Sequence, residues 1–265
     1  MTPTTPTGRA RVALVTGATS GIGLEVARTL AAQEHRVFLC ARDADNVAAT
    51  VAKLRDEGHD VDGTRCDVRN REEVRAFVGA AVERFGTVDV LVNNAGRGGG
   101  GVTADLSDEL WADVIDTNLT SVFVVTREVL TTGGMRHKDW GRIINIASTA
   151  GKQGVVLAAP YSASKHGVVG FTKALGNELG GTGITVNAVC PGYVETPMAQ
   201  GVRERYAAAW QVSEADVLAK FQAKIPLGRY SLPHEVAGLV GYLATDTAAS
   251  ITSQALNVCG GLGTF

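Results

Sequence analysis

The sequence has no excess of charge of either sign, with 25 Lys and Arg residues against 27 Asp and Glu residues over 265 positions. It therefore gives no electrostatic reason to expect a nucleic-acid or anionic-membrane partner. No apolar run is long enough to span a membrane. Residues 1–8 are rich in Thr and Pro and lack the apolar core of a signal peptide, so we predict a flexible tail over residues 1–10. These absences favour a cytoplasmic protein.

Cysteine is also scarce, and no two cysteines have the spacing of a metal-binding or redox motif. Three of the four end apolar runs, which is typical of small buried residues. We therefore predict reduced, buried thiols and no metal site. The four are Cys40, Cys66, Cys190 and Cys259.

What the sequence does contain is a regular alternation of apolar runs with amphipathic stretches from residue 11 onward. Strand candidates fall at 12–15, 36–40, 60–66, 88–92, 141–147, 184–189 and 254–258. Between them, stretches such as 23–33, 46–57 and 71–85 carry apolar residues at helical spacing. The alternation predicts an α/β fold of the Rossmann type, with a doubly wound, about seven-stranded parallel sheet and helices on both faces. We predict one domain over residues 11–265, with ligands beyond the carboxyl ends of the strands.

The segment 195–224 interrupts this alternation and carries Met198, Tyr206, Trp210 and Phe221. Its spacing predicts a helix pair outside the sheet. It could be a simple amphipathic insertion packed on the core. Because it follows the carboxyl end of a strand, we favour a helical lid whose aromatic face shapes a substrate pocket.

A glycine-rich turn joins the first strand to the first helix, with the spacing G-x-x-x-G-x-G. Glycines in this position let the backbone approach a pyrophosphate, and the helix amino terminus supplies N–H donors and a positive dipole. The turn therefore predicts a dinucleotide site. Its candidate contacts are Thr16, Gly17, Thr19, Ser20, Gly21, Ile22 and Gly23.

The choice of cofactor depends on the end of the second strand, where Arg42 and Asp43 are adjacent. An acidic residue there binds the ribose 2′-hydroxyl, and an arginine accommodates a 2′-phosphate. Asp43 is well placed to cap the next helix. That assignment leaves Arg42 free and predicts NADPH rather than NADH.

Polar or small residues also follow the third and fourth strands. Asp67 and Val68 could contact adenine, although Asp67 could instead cap the helix near Asn70. Asn94, Ala95 and Gly96 offer small residues and an amide where the cofactor must pass closely. The same residues could form an ordinary turn.

Tyr161 and Lys165 are one helical turn apart, downstream of Asn118 and Ser148. A phenol with an unperturbed pKa near ~10 is a poor acid at neutral pH. An ammonium at i+4 is expected to lower that pKa. With a hydroxyl beside it to bind a carbonyl oxygen, the phenol can protonate a developing alkoxide.

Taken together, these motifs resemble the classical short-chain dehydrogenase/reductase family over the whole chain. The resemblance implies a catalytic tetrad of Asn118, Ser148, Tyr161 and Lys165. It also implies that Tyr161 and Lys165 contact the cofactor. Further contacts around the nicotinamide are implied for Pro191, Gly192, Val194 and Thr196.

Residues 151–155, 160–167 and 255–261 more closely resemble the ketoreductases of aromatic (type II) polyketide synthases of the actinorhodin type. That resemblance implies a homotetramer that uses NADPH to reduce one carbonyl of a poly-β-ketone bound to an acyl carrier protein. Gly98 stands where the actinorhodin-type enzyme carries proline, and we expect it to loosen the loop. The candidate substrate contacts are Gly98, Gly99, Gly100, Gln153, Val155, Met198, Tyr206 and Trp210.

We predict subunit contacts through the helix at 162–179, with His166 turned away from the catalytic pair. Arg203, Lys224 and Arg229 are candidate cations for docking an acidic carrier protein. Two other functions remain open: another reductase of this family, such as a 3-oxoacyl-carrier-protein reductase or an alcohol dehydrogenase, and a non-catalytic regulator that senses the dinucleotide. The intact tetrad argues against the regulator.

Overall fold

In the computed structural model, residues 10–265 are described. The tail predicted over residues 1–10 therefore lies, except for Ala10, outside the described residues. Seven strands form one parallel sheet in the order β3-β2-β1-β4-β5-β6-β7. The strands are β1 (Val12–Thr16), β2 (Arg36–Ala41), β3 (Val61–Arg65), β4 (Val90–Asn93), β5 (Gly141–Ile146), β6 (Ile184–Pro191) and β7 (Ala255–Val258).

The helices connect successive strands and cover both faces of the sheet. They are α1 (Gly21–Ala32), α2 (Ala44–Asp56), α3 (Arg71–Phe85), α4 (Asp108–Ile115), α5 (Ser121–Thr131), α6 (Ala159–Glu178), α7 (Pro197–Trp210), α8 (Glu214–Gln222) and α9 (Pro233–Leu243). This architecture confirms the predicted Rossmann-type fold. No helix in the described part of the chain is both long enough and apolar enough to cross a membrane.

Successive side chains of β1 point to opposite faces of the sheet, so they belong alternately to two hydrophobic cores. Ala13 and Val15 pack with α1, α2 and α9 on one face, whereas Val12 and Leu14 pack with α3 and α5 on the other. All four side chains are fully buried, which explains why the strand reads as a continuous apolar run. All four cysteines are buried free thiols, as predicted.

The order of the strands reverses beside β1, because the chain runs outward through β2 and β3 and then returns to β4 on the other side. A crevice for a ligand is expected at the carboxyl ends of β1 and β4, where this switch occurs. The turns that carry the candidate site residues all leave the sheet at this edge.

Two details differ from the sequence-based boundaries. The helix predicted at 162–179 begins at Ala159, because Pro160 fits the first turn of a helix, where its missing N–H costs nothing. Tyr161 therefore lies inside the helix. In addition, the segment Asp116–Thr120 between α4 and α5 is a turn of π-helix that the apolar pattern did not indicate.

At the opposite edge of the sheet, Trp140 lies between two arginines. The guanidinium of Arg11 is 3.6 Å from the ring centroid and that of Arg142 is 4.2 Å away. The indole N–H donates a 2.7 Å hydrogen bond to Asp246. Burial lowers the pKa of Arg142 to about 10. This cluster fixes the start of β5 far from the strand ends that carry the candidate site.

Candidate active site

The side chains of Ser148 and Tyr161 are neighbours at the carboxyl edge of the sheet, where Ser148 opposes the rise in the pKa of the Tyr161 phenol. Ser148 follows β5, where its hydroxyl accepts a 3.1 Å hydrogen bond from the N–H of Ala150 and so caps a short 3₁₀ turn. Tyr161 lies in the first turn of α6. The two hydroxyls are therefore fixed by different elements and meet where a carbonyl oxygen could accept from both.

Lys165 is buried one turn further along α6. Its Nζ donates a 2.8 Å hydrogen bond to the carbonyl oxygen of Ile146, at the end of β5. The same nitrogen is 5.8 Å from the centroid of the Tyr161 ring. Burial lowers the pKa of Lys165 to about 8, because a desolvated ammonium is less stable than a hydrated one.

The pKa of Tyr161 is raised above its ordinary value, contrary to the expectation that Lys165 would lower it. Burial of the phenol is the main cause, and the neighbouring Ser148 opposes it. The i+4 spacing identified the neighbouring charge correctly. It could not reveal how strongly both groups are desolvated. In this structure the phenol is therefore a protonated donor at neutral pH.

Asn118 lies in the π-helical turn and holds the loop that follows β4. Its Oδ1 accepts a 2.8 Å hydrogen bond from the N–H of Arg97, and its Nδ2 donates to the Arg97 carbonyl at 2.9 Å. A side chain at Gly96 would reach within 3.3 Å of Asn118 Oδ1 and 3.7 Å of Lys165 Nζ. Glycine therefore leaves space between the amide of Asn118 and the ammonium of Lys165.

Ser164 is a fully buried residue of this cluster that the sequence analysis missed. Its hydroxyl donates a 2.7 Å hydrogen bond to the carbonyl of Tyr161 and accepts one of 3.1 Å from Asn118 Nδ2. It thus joins the π-helical turn to α6. The signal in the sequence was its place between Tyr161 and Lys165, three residues after the tyrosine.

The glycine-rich turn is packed so closely that it excludes side chains. Gly17 has a positive φ of 65°, and a Cβ there would lie 2.8 Å from Cα of Ala95. A Cβ on Gly23 would lie 2.3 Å from Nδ2 of Asn94. That amide donates to the carbonyls of Thr16 and Gly17, each at 2.9 Å. Asn94 and Thr16 therefore act here by holding the turn in shape.

The amino terminus of α1 has the features of an anion site. Ser20 occupies the cap position but makes no side-chain hydrogen bond to the helix, and the first turn contains no acidic residue. Thr19 is half-buried beside it, and Ile22 packs on the core. The free N–H groups and helix dipole fit the pyrophosphate of a dinucleotide.

Arg42 is exposed at the end of β2, and Asp43 caps α2 by accepting a 2.8 Å hydrogen bond from the N–H of Asn46. Asp43 thus acts as the predicted cap, and within residues 10–265 the Arg42 guanidinium makes no ion pair, although its charge contributes to the lowered pKa of Asp67. A cavity of about 500 Å³ extends from Arg42 to α7, with Arg97, Met198 and Arg205 along its wall.

Asp67 does not cap a helix. The cap of α3 is Asn70, whose Oδ1 accepts from the N–H groups of the next two helical residues. Asp67 instead forms a 2.5 Å ion pair with Arg69, whose hydrogen bond lowers the pKa of the carboxyl group. The cap alternative is therefore wrong, while an adenine contact for Asp67 and the buried Val68 stays a prediction.

The candidate nicotinamide residues lie where β6 leads into α7. Pro191 ends β6, and a Cβ on Gly192 would lie 2.9 Å from Cβ of Cys259. Val194 is buried in a short parallel bridge to Ser231. Thr196 caps α7 by accepting a 3.2 Å hydrogen bond from Ala199. These residues form one side of the crevice beyond the strand ends.

The glycine loop at 97–101 is held more tightly than expected. A Cβ on Gly99 would lie 2.3 Å from Val114, and one on Gly100 would lie 2.0 Å from the Leu157 carbonyl oxygen. Gly98, which was expected to loosen the loop, is the open position, with no neighbour closer than 4.0 Å. The loop is therefore packed against α4 and against the segment that contains the candidates Gln153 and Val155.

The segment 195–224 contains α7 and α8, which meet through aromatic rings. The ring of Tyr206 is 4.8 Å from that of Trp210 and 5.3 Å from that of Phe221. Tyr193, which the sequence analysis did not single out, stacks on Phe221 at 5.0 Å and on Tyr230 at 5.2 Å. Met198 is half exposed on the cavity side. The role of these helices as a lid stays a prediction.

Two of the three predicted docking cations already have carboxylate partners. Arg203 is buried and bonded to Glu195 and Glu214, so it cannot be a surface docking residue. Arg229 is paired with Glu235 at 2.6 Å. Lys224 is exposed, with its Nζ 5.4 Å from the centroid of the Phe221 ring.

His166 is also exposed, away from the catalytic pair. Its Nδ1 forms a 2.9 Å hydrogen bond with the carbonyl oxygen of Ser162. No group of His, Cys, Asp and Glu residues within 10–265 could hold a metal ion.

The fold and the Ser–Tyr–Lys arrangement define a dinucleotide-dependent oxidoreductase, and the short chain dehydrogenase family profile matches residues 11–207. The chain belongs to that family. It is 75% identical over 96% of its length to a Streptomyces virginiae protein named as a ketoacyl reductase of a monensin polyketide synthase, covering 98% of that protein. It is 66% identical over its full length to a granaticin polyketide synthase ketoacyl reductase of Streptomyces violaceoruber, covering 97% of that protein.

A crystal structure of a variant of actinorhodin polyketide ketoreductase with NADPH superimposes with a TM-score of 0.95. The two chains are 62% identical, and the match covers 97% of this chain and 98% of the other. These similarities confirm the predicted resemblance to polyketide ketoreductases and the assignment as an oxidoreductase. A relative solved with NADPH also supports the prediction of that cofactor.

Proposed function

We propose that this protein is an NADPH-dependent ketoreductase that reduces one carbonyl of a poly-β-ketone held on an acyl carrier protein, in aromatic polyketide biosynthesis. The observation that carries the proposal is the cluster at the carboxyl edge of the sheet, where Ser148 is close enough to Tyr161 to oppose the rise in its pKa and the buried Lys165 lies one helical turn further on. Two hydroxyl donors directed at one oxygen are suited to a carbonyl that becomes an alkoxide.

In this mechanism Ser148 donates a hydrogen bond to the carbonyl oxygen and polarises it as negative charge develops. Tyr161 transfers its proton to the same oxygen, so the product is an alcohol. NADPH supplies the hydride to the carbonyl carbon. The raised pKa of Tyr161 keeps its proton in place until the alkoxide forms.

Lys165 stabilises the tyrosinate that remains, and its hydrogen bond to Ile146 fixes the position of the ammonium. We expect the same ammonium to contact the nicotinamide ribose. Reprotonation of Tyr161 requires a path from solvent, for which the space at Gly96 between Asn118 and Lys165 is suited. Asn118 then keeps this path open by holding the Arg97 backbone.

The residues of the cofactor site fit a dinucleotide with a 2′-phosphate. The glycine turn leaves a surface that side chains would fill, and Arg42 offers an exposed guanidinium at the ribose end that makes no ion pair within residues 10–265. Arg42→Leu should therefore reduce the preference for NADPH over NADH by about 10–100-fold, the effect of one or two charge-assisted hydrogen bonds. Lys53→Leu, an exposed cation on α2, is the control. An unchanged ratio of kcat/KM values in Arg42→Leu would exclude the 2′-phosphate contact.

The substrate class can be tested with two ketones of different shape. A wide pocket beside Met198 should accept a fused bicyclic ketone, whereas a 3-oxoacyl-carrier-protein reductase should prefer acetoacetyl-pantetheine. We expect NADPH oxidation to be faster, in kcat/KM, with the bicyclic ketone. The reverse preference would favour the fatty-acid reaction, and no oxidation with either substrate would favour a regulatory protein.

An acidic carrier protein requires cations at the mouth of the pocket. Arg205 is exposed on the cavity wall, and within residues 10–265 it makes no hydrogen bond or ion pair. Arg205→Glu should raise KM for the carrier-bound substrate more than for the same ketone free in solution. Equal effects on both KM values would argue against docking at this point.

The proposed tetramer requires an exposed surface on α6 that a second subunit can cover. Ala163, His166 and Gly170 are exposed along this helix, and the neighbouring Phe123 of α5 is 43% exposed. Small residues on a long helix allow close approach of a second subunit. Light scattering at assay concentration should give the mass of four chains, and the mass of one chain would contradict the assembly.

A further inference from the structure

Arg203 is a buried cation that the proposed reaction does not use. Its side chain is only 8% exposed, yet it projects from α7, which otherwise lies over the cavity. Two nitrogens of its guanidinium donate to the carboxylate of Glu195, at 2.8 and 3.1 Å. Its Nε donates to Glu214 at 2.8 Å. One side chain thus joins the start of α7 to α8.

A column of stacked aromatic rings, formed by Tyr230, Tyr193 and Phe221, begins at the same guanidinium. The guanidinium lies 5.5 Å from the centroid of the Tyr230 ring, and its charge opposes the rise that burial causes in the pKa of the tyrosine. Tyr230 stacks on Tyr193, which stacks on Phe221 of α8. Movement of Arg203 would therefore displace the rings that position Tyr206, the candidate substrate contact one helical turn along α7.

The other end of the cluster reaches the cofactor turn. The N–H of Glu195 donates a 2.9 Å hydrogen bond to the Ser231 carbonyl. This bond fixes the start of the segment 195–224. Thr196 follows Glu195 directly and packs on Gly21, where an ideal Cβ would lie 3.2 Å from the threonine methyl group. Gly21 is the first residue of α1, at the predicted pyrophosphate site.

Stability alone does not explain an arginine in this place. Buried ion pairs can often be replaced by apolar side chains of similar size without loss of stability. Both carboxylates here are more than 40% exposed and would be hydrated if the guanidinium were absent. The charged contacts hold the guanidinium in one orientation. They thereby fix the positions of Glu195, α7 and α8 relative to one another.

We propose that Arg203 is a positioning residue that couples cofactor binding to the substrate wall, through Glu195 and Thr196 on one side and Tyr206 on the other. The inference rests on the proposed function in that the first ligand is NADPH and the second a ketone. A dinucleotide at Gly21 restrains Thr196, and the Arg203–Glu195 pair transmits that restraint to α7. Each ligand should then tighten the binding of the other by the same factor.

The test measures the Kd of NADP⁺ with and without a saturating fused bicyclic ketone, which avoids turnover. We expect the ketone to tighten NADP⁺ binding by about fivefold or more in the unmodified protein. In Arg203→Met and in Glu195→Ala that factor should fall to near one, while the Kd of NADP⁺ alone changes little. Glu214→Ala should retain most of it, because the link from Glu195 to α7 remains.

Arg28→Met is the matched control, because Arg28 also bonds two glutamates, Glu25 and Glu57, neither of which belongs to the segment 195–224. It should retain the full factor. An unchanged factor in both Arg203→Met and Glu195→Ala would overturn the proposal, and so would a factor of one in the unmodified protein. Glu195→Ala decides the question if Arg203→Met does not fold. Failure of the reductase assignment would instead appear as absent NADPH oxidation by the unmodified protein.

Discussion

The side-chain amide of Asn118 and the backbone of Arg97 are joined by two hydrogen bonds, one in each direction. Asn118, a predicted member of the catalytic tetrad, thus uses its side chain to hold the loop that contains Arg97. The bond from Asn118 to Ser164 extends the same restraint to the helix that carries Tyr161. Catalytic geometry and the shape of the glycine loop therefore depend on one amide group.

Asn118→Ala should lower both stability and turnover. It leaves the Arg97 backbone and the Ser164 hydroxyl without their hydrogen-bond partner. We expect the free energy of unfolding to fall by about 1–3 kcal/mol. Thermal unfolding should show a lower melting temperature, and KM for a bulky ketone should rise as the loop loses its restraint. A variant with reduced turnover but unchanged melting temperature and KM would contradict this structural role.

Tyr161→Phe should lower kcat by at least about 100-fold, because it removes the general acid. Its melting temperature should change little, since phenylalanine keeps the aromatic ring in the first turn of α6 and removes only the hydroxyl. NADPH binding, followed by fluorescence, should be retained. Turnover close to that of the unmodified protein would exclude Tyr161 as the proton donor.

The rate of ketone reduction should fall as the pH rises through about 8. Burial lowers the pKa of Lys165 from 10.5 to about 8, so its ammonium is lost over this range. The pKa of Tyr161 is raised, so the acid itself stays protonated there. Profiles of kcat/KM between about pH 6 and 10 check this, and Lys165→Met should abolish the dependence along with most activity.

The same shift has the opposite effect on folding. Between pH 8 and 10.5 the unfolded chain holds a proton on Lys165 that the folded chain has released. Stability from this residue therefore rises with pH across that window. Urea unfolding at several pH values should show this slope in the unmodified protein but not in Lys165→Met.

Gly23→Ala should destabilise the protein by about 1–3 kcal/mol, because the new Cβ would meet Asn94 and the Gly17 carbonyl at 2.3 Å. It should weaken NADPH binding as well. Gly79→Ala on α3 is the control, since its Cβ would meet nothing within 4 Å, and it should stabilise the helix by up to about 1 kcal/mol. Equal melting temperatures for the two variants would contradict the close packing of the turn.

Central strands such as β1 could be predicted because a sheet covered on both faces requires continuous apolar runs, of which Val12–Thr16 is an example. The π-helical turn at Asp116–Thr120 could not, because one extra residue within a helix hardly alters an apolar pattern. The catalytic pair was found through its spacing. The raised pKa of Tyr161 depends on burial, which neighbours in sequence do not reveal.

Arg203 illustrates the same limit for charged residues. Its carboxylate partners lie 8 residues before it and 11 residues after it, on different elements, so the sequence could not distinguish it from an exposed cation. Ser164 was missed because its partner Asn118 lies 46 residues away. Local motifs thus identified the reacting groups, whereas the residues that position them became visible only after folding.

Two of the three tryptophans, Trp140 and Trp210, lie in environments that suit them to different fluorescence measurements. Trp140 is fixed at the amino-terminal edge of the sheet, so its emission should change only on global unfolding. Trp210 is 41% exposed at the end of α7, beside Tyr206. With Trp111 replaced by Phe, the emission of Trp210 can report ligand-dependent motion of α7 while that of Trp140 provides the internal reference.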